Sequence, residues 1–249
     1  RTWADEQLEW GMETNDACLQ CHSAVGDTLV QHTRHQPGSS GSLCYNCHMP
    51  HTTYGLMGAI RSHQVDSPSV AASVETGRPN ACNQCHLDKT LSWTSEYLKE
   101  WYDTPRPVLS DDERSIAASV LWTLRGDAGQ RVLMAWSLGW EEARQAAGEE
   151  WIPPYLAKLL NDPYAAVRLV AYRSLLTLPY FAEFEYDYIA PTEILAGKSR
   201  QALGIWKQSQ EYRSNGREQV LISPEGTLRD ELFERIFAER NERQVWLQE

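Results

Sequence analysis

Cys18-Leu19-Gln20-Cys21-His22, Cys44-Tyr45-Asn46-Cys47-His48 and Cys82-Asn83-Gln84-Cys85-His86 are three copies of one pattern, C-x-x-C-H. Two thiols at this spacing each form a thioether to one vinyl group of a haem. The imidazole that follows them lies beneath the iron as its proximal ligand. The three copies consume all six cysteines of the chain. Zinc knuckles and disulfide frameworks also use paired cysteines. Zinc, however, would join two motifs in one tetrahedral site and leave the third unmatched, and neither alternative explains a histidine at the fifth position of every copy. The pattern predicts three covalently attached haem c groups, held by Cys18, Cys21, Cys44, Cys47, Cys82 and Cys85, with His22, His48 and His86 as proximal ligands.

Each iron has a second axial position, and four histidines remain to fill three of them: His32, His35, His51 and His63. His51 follows His48 by three residues, too few for the backbone to pass round the macrocycle, so as a ligand it serves a different haem. His32 and His35 are one helical turn apart; they point to different irons, or one of them only meets a propionate. Met49 and Met57 are poor competitors where histidine is this abundant. Trp93, Trp101, Tyr45 and Tyr54 are candidates to pack on porphyrin faces, and Arg34, Arg61 and Arg78 to pair with propionates, with plain solvent exposure as the alternative for each arginine.

Working outward, the segment before residue 107 is poor in contiguous apolar residues, and the haems are expected to fill its interior. Trp3 to Glu13 has helical spacing, Gly26 to Gly41 is read as loop, and residues 52–81 carry little regular structure beyond a short helical turn near Leu56 to Ser62. Leu91 to Tyr102 has helical spacing. Thr104-Pro105-Arg106-Pro107 then marks a boundary, beyond which there is neither Cys nor His. We expect two regions, a triple c-haem cytochrome domain at 1–106 and an α-helical domain with a C-terminal extension at 107–249.

In the second region helices are expected at 110–124, 128–138, 140–148, 151–160, 163–177, 192–212 and 227–240. Ser110 and the acidic residues after it form the start of the first. The segments beginning at Asp127 and Asp162 resemble each other at an offset of about 36 residues, in the range of helical-hairpin repeats. Asn161-Asp162-Pro163-Tyr164-Ala165-Ala166-Val167-Arg168 resembles a HEAT-type repeat; an irregular helical bundle is the alternative. Residues 219–222 and 244–247 are short β-like runs expected to pair. The fold class is therefore mainly α: a haem-packed region with little regular structure, followed by HEAT-like helices.

Residues 14–102 resemble the multihaem c-type cytochromes related to the tetrahaem electron carriers of nitrifiers and the pentahaem ammonia-forming nitrite reductases. The resemblance is carried by Cys44-Tyr45-Asn46-Cys47-His48-Met49-Pro50, by Ser62-His63 with Ser67-Pro68, and by Gly77-Arg78-Pro79-Asn80-Ala81-Cys82-Asn83-Gln84-Cys85-His86. It implies closely stacked haems forming an electron path, with distal histidines drawn from upstream of the C-x-x-C-H-Met-Pro motif or from the loop after it, which points to His35 and His63. The chain departs from the enzymes of that group in lacking a C-x-x-C-Lys motif and a fourth or fifth attachment site. Its helical half looks like a separate fusion.

The chain has 249 residues and a formal net charge of −11, with a pI of about 5.1. Propionates would add to the negative charge, which disfavours nucleic acid and anionic membranes as partners and favours a basic redox partner. No apolar run approaches the roughly 18 residues of a spanning helix. The chain begins with Arg, and covalent haem attachment takes place outside the cytoplasm, so a processed or partial chain, exported to the periplasm or beyond by a bacterium or archaeon, is expected. The expected function is electron transfer through three haems, in association with other cytochromes or in a homo- or hetero-oligomeric assembly, rather than enzymatic turnover. The alternatives are an oxidoreductase acting on a small nitrogen or sulfur compound at an open haem iron, and a structural or sensory haem module.

Overall fold

A computed structural model describes residues 13–53, 59–209 and 217–243. The expected helix at Trp3 to Glu13 and the run at 244–247 lie outside the described residues, apart from Glu13. Fifteen α-helices and one two-stranded ribbon make up the described part, a mainly α fold.

The N-terminal region consists of short helices, α1 Asp16–Leu19, α2 Ser23–Gly26, α3 Leu29–Thr33 and α4 Cys44–His48, separated by turns. The helical turn expected near residues 56–62 is instead a strand: β2 Ala59–Arg61 pairs antiparallel with β1 His51–Thr53, His51 opposite Arg61. All three residues of β2 are buried. The Thr53 hydroxyl donates to the Gly129 carbonyl at 2.8 Å, so the ribbon is fastened to the helical half. A further helix, α5 Val70–Thr76, starts where the Ser69 side chain accepts from the Ala72 amide and stops at Gly77, whose φ of +76° suits glycine. Then follow α6 Ala81–Cys85 and α7 Leu91–Tyr102.

Helix α7 begins at Thr90, whose hydroxyl accepts from the Trp93 amide, and ends at Asp103 in the left-handed region before Pro105. Its Leu91, Thr94, Ser95 and Leu98 are buried. These positions recur every three to four residues, as one face of a helix requires. Beyond it stand α8 Asp111–Ser115, α9 Ala118–Leu124, α10 Ala128–Ser137, α11 Glu141–Ala147, α12 Pro153–Leu159, α13 Ala165–Leu175, α14 Thr192–Gln208 and α15 Asp230–Ala238. Reciprocal capping boxes start α8 (Ser110 with Glu113) and α10 (Asp127 with Gln130). The helix expected over 110–124 is broken at Ile116, which is extended. There the Ala117 and Ala118 amides turn away to the carbonyls of Gln219 and Lys89, tying three distant segments together.

Helix α9 packs on α10 and α12 on α13. The two pairs then stack, α10 against α13 and α9 against α12, with α14 on α12. Gly139 permits close approach at this seam, since a β-carbon there would fall 2.3 Å from the Ser174 hydroxyl. Asp162 is the polar centre of the stack. It accepts from Arg131 Nε at 2.8 Å, from Arg240 and from the Tyr164 amide, with both Asp162 and Arg131 side chains fully buried. Burial pulls both guanidinium groups down, to about 10, still protonated at neutral pH. The chain after α15 is thereby clasped to the stack, helped by the Asn241 amide on the Arg125 carbonyl and by the Arg235–Asp112 pair. Residues 218–220 form a 3-10 turn in place of the expected strand, and Ile222 bridges to Leu228.

Packing runs across the compositional boundary at residue 107. Ala59, Val70, Leu91 and Leu98 share one apolar cluster with Leu109, Ala118, Trp122, Leu133 and Met134, and Leu87 belongs to the main core of the helical half. The segment before 107 thus owes part of its interior to the helices after it. Asp162→Ala should lower stability by about 3–5 kcal/mol, because it strands buried arginine charge. Thermal or denaturant unfolding checks this, and a loss below about 1 kcal/mol would contradict a central role for the carboxylate.

Candidate haem-binding site

Each attachment motif is built on about one helical turn. In the third, the Asn80 side chain caps α6 by accepting from the Cys82 amide. Its two intervening residues are buried and bonded outward: Asn83 to the Lys89 carbonyl and the Thr94 hydroxyl, Gln84 to the His51 carbonyl at 2.9 Å. The Ser119 hydroxyl donates to the Leu87 carbonyl, which joins the motif to α9. In the second motif Arg61 is buried, donates to Asn46 Oδ1 at 2.7 Å and lies 4.3 Å over the Tyr45 ring. Arg61 therefore braces the motif from within, where the sequence had offered it to a propionate. The first motif rests on the second: the Asn15 amide group donates to the Ser42 carbonyl, and its oxygen accepts from the Cys44 amide, both at 2.9 Å.

The thiols form a chain of neighbours. Cys18 lies against Cys44, and Cys47 is close enough to Cys82 and Cys85 for their charges to interact. Burial raises the Cys47 thiol to about 11 and the Cys82 and Cys85 thiols to about 12, with Cys47 adding to the rise of both. All six cysteines are free of disulfides. Among the described residues no three His, Cys, Asp or Glu side chains converge as a protein-only metal site would need.

The histidines give the clearest geometry. His32 and His48 have ring centroids 6.1 Å apart with planes 13° from parallel; His35 and His86 are 5.9 Å apart at 29°. Two imidazoles that bind one metal ion from opposite sides, through nitrogens about 2 Å from it, have centroids roughly 6 Å apart. The centroid separations of both pairs match that spacing. Their outer nitrogens are tied back: His48 Nδ1 is 2.8 Å from the Asp66 carbonyl and His35 Nδ1 is 2.6 Å from the Thr33 carbonyl. An Nδ1–H donated to a carbonyl leaves Nε2 as the ligating atom and holds the ring's direction. Burial and the nearby His35 pull the His86 imidazole below its ordinary value, toward the neutral form that a metal binds. Gly41 provides the seat for His35, since a β-carbon there would fall 2.1 Å from the ring.

The other predicted residues are placed as follows. His22 is exposed at the start of α2, and His63 is exposed in a bend after β2. His51 is buried on β1, its ring 4.2 Å from Trp136 and 5.2 Å from Trp140. Trp93 packs 5.1 Å from His86 and begins an aromatic row along α7, with Tyr97 4.8 Å further on and Trp101 4.6 Å beyond that. Arg34 lies 5.8 Å over Trp101, and Arg78 pairs with Asp66 at 3.5 Å. Tyr54 and Met57 lie outside the described residues. Sequence reasoning missed Asn15 and Gly41 as supports; an asparagine ahead of one motif and a glycine between His35 and Cys44 were the available signals.

Residues 4–87, about one third of the chain, match the family described as cytochrome c7 and related cytochrome c. No curated protein and no solved structure matches. The N-terminal segment is similar to multihaem c-type cytochromes, a likeness that implies covalently bound haem c and electron transport. Proteins of that type are typically exported to the periplasm. Among the described residues no helix is long and apolar enough to cross a membrane.

The thiol environments predict an order of reactivity. In chain made without haem, iodoacetamide at pH 8 should modify the exposed Cys21 first and Cys82 and Cys85 last, at least about tenfold slower, because burial keeps their thiolates scarce. Peptide mass mapping over time checks this; uniform labelling of all six would show that the third motif is not formed before haem arrives.

Proposed function

We propose that this chain carries electrons through three covalently bound c-type haems, each iron held by two histidines: His48 with His32, His86 with His35, and His22 with His63. The observation that carries the reading is the two facing imidazole pairs, with ring centroids 6.1 and 5.9 Å apart. Chain position is what supports the third assignment. The segment around His63 runs beside the second motif, the Ser62 amide on the Pro50 carbonyl and the Asp66 amide on the His48 carbonyl, and the first motif leans on the second. His51, enclosed by Trp136 and Trp140, is then a packing residue.

The chain's own residues do the positioning. Thioethers from each cysteine pair fix a haem in register with its proximal imidazole, while the haem supplies the iron couple that takes and releases an electron. The neighbour relations of the thiols support a second haem lying between the first and third, with electrons passing in that order. Two histidines at each iron would leave no position open to substrate, which suits electron exchange rather than turnover. The stacked pairs α9–α10 and α12–α13 are HEAT-like and act as a docking or assembly scaffold in a larger cytochrome complex; the acidic charge suits redox partners with a basic face. The cytochrome segment is related to the tetrahaem carrier and pentahaem reductase group. The protein works after export from a bacterial or archaeal cytoplasm.

The test is the absorption spectrum of the reduced protein with and without carbon monoxide, alongside haem content per chain. Three haems and an unchanged spectrum are expected. A shift in one haem would favour the oxidoreductase reading, and fewer than three haems would contradict the attachment count. Gly41→Ala should displace the His35 ring, leaving normal haem content but opening one iron to carbon monoxide.

A further inference from the structure

We infer that Arg34, in the left-handed region beside Trp101, is a positioning residue that sets the ligands of two irons at once. The inference rests on the histidine assignment proposed above. His32 lies in the last turn of α3, and residues three apart on a continued helix share a face, so an unbroken helix would send His32 and His35 to the same side. They do not go to the same side: His32 faces His48 and His35 faces His86. The residue between them that makes this possible is Arg34, at φ +59° in the left-handed region. Its amide still bonds the Val30 carbonyl at 2.8 Å, so the helix ends there and the chain turns.

That backbone conformation is disfavoured for a side chain with a β-carbon, and glycine is its usual occupant. At this turn the chain meets α7. The Arg34 guanidinium lies 5.8 Å over the Trp101 ring, and the adjacent Tyr102 donates its hydroxyl to the His32 carbonyl. Helix α7 is itself anchored in the core by Leu91 and Leu98, and its first turn brings Trp93 to 5.1 Å from His86. A single rigid helix therefore touches the distal turn at one end and a proximal ligand at the other. It fixes the placement of the second and third irons relative to each other. An arginine that only met a propionate would act on one haem; this one acts on two.

The test uses full-length, haem-loaded protein, with electron paramagnetic resonance of the oxidised form resolving the low-spin haem signals. Arg34→Val, whose branched side chain is excluded from the left-handed region, should change two of the three signals together and let carbon monoxide bind those two haems after reduction. Arg34→Gly, which accepts that conformation, should keep all three haems low-spin. Tyr102→Phe should shift the signal of the haem served by His32 with haem content unchanged. An Arg34→Val protein with three unaltered signals, or with one altered, would overturn the inference. Where Arg34→Val fails to accumulate with haem, unaltered signals in Tyr102→Phe would overturn it equally. His32→Met and His35→Met test the underlying assignment separately: each should change a different haem, and a change in the same haem would refute the assignment whatever the Arg34 variants do.

Discussion

An iron held between two imidazoles requires two rings that face each other across roughly 6 Å, each with its outer nitrogen engaged so that the inner one is free to bind. Under the proposed ligation, much of the N-terminal third serves that demand at two pairs of rings. The Asp66 and Thr33 carbonyls hold Nδ1 of His48 and His35, Gly41 leaves the space that the His35 ring fills, and the left-handed Arg34 splits two nearby histidines between two partners. Regular secondary structure is short there because geometry at the rings, rather than a continuous apolar face, decides the path of the backbone.

The helical half supplies what the motif segment lacks. Buried side chains before residue 107 close onto α9 and α10. The third motif is bonded to its surroundings through Asn83, Gln84 and the Leu87 carbonyl. Burial consequently rises along the N-terminal segment: the first motif is the most exposed and leans on the second, and the third is embedded. The helices are held in turn by a buried carboxylate, Asp162, on which Arg131 and Arg240 converge from different parts of the chain. Buried charge of this kind tolerates no missing partner, so the scaffold is built to keep one arrangement.

The helices after residue 107 were legible because their signals are local. Capping residues such as Ser110 and Asp127 and an apolar period near 3.6 belong to each segment alone. The break at Ile116 was not legible, since it answers carbonyls of Lys89 and Gln219 that lie far away in sequence. The three C-x-x-C-H motifs are visible in the sequence, whereas the facing of His32 on His48 and of His35 on His86 goes with Arg34 leaving the helical region, which no residue preference announces. Arg61 shows the same limit: charge suggested a propionate, but its buried bond to Asn46 places it inside the second motif. The β1–β2 ribbon was hidden because its burial depends on contact with α10; α5 falls in a stretch expected to carry little regular structure, although Ser69 and Gly77 mark its ends.

The account stands most directly on where the irons lie. Crystals of the haem-loaded protein, measured at the iron absorption edge, give iron positions independently of any fitted chain. The account predicts three irons, one between His32 and His48 and one between His35 and His86, with the second nearest to both others. A single iron between His32 and His35, or His51 at an iron in place of either, would contradict it.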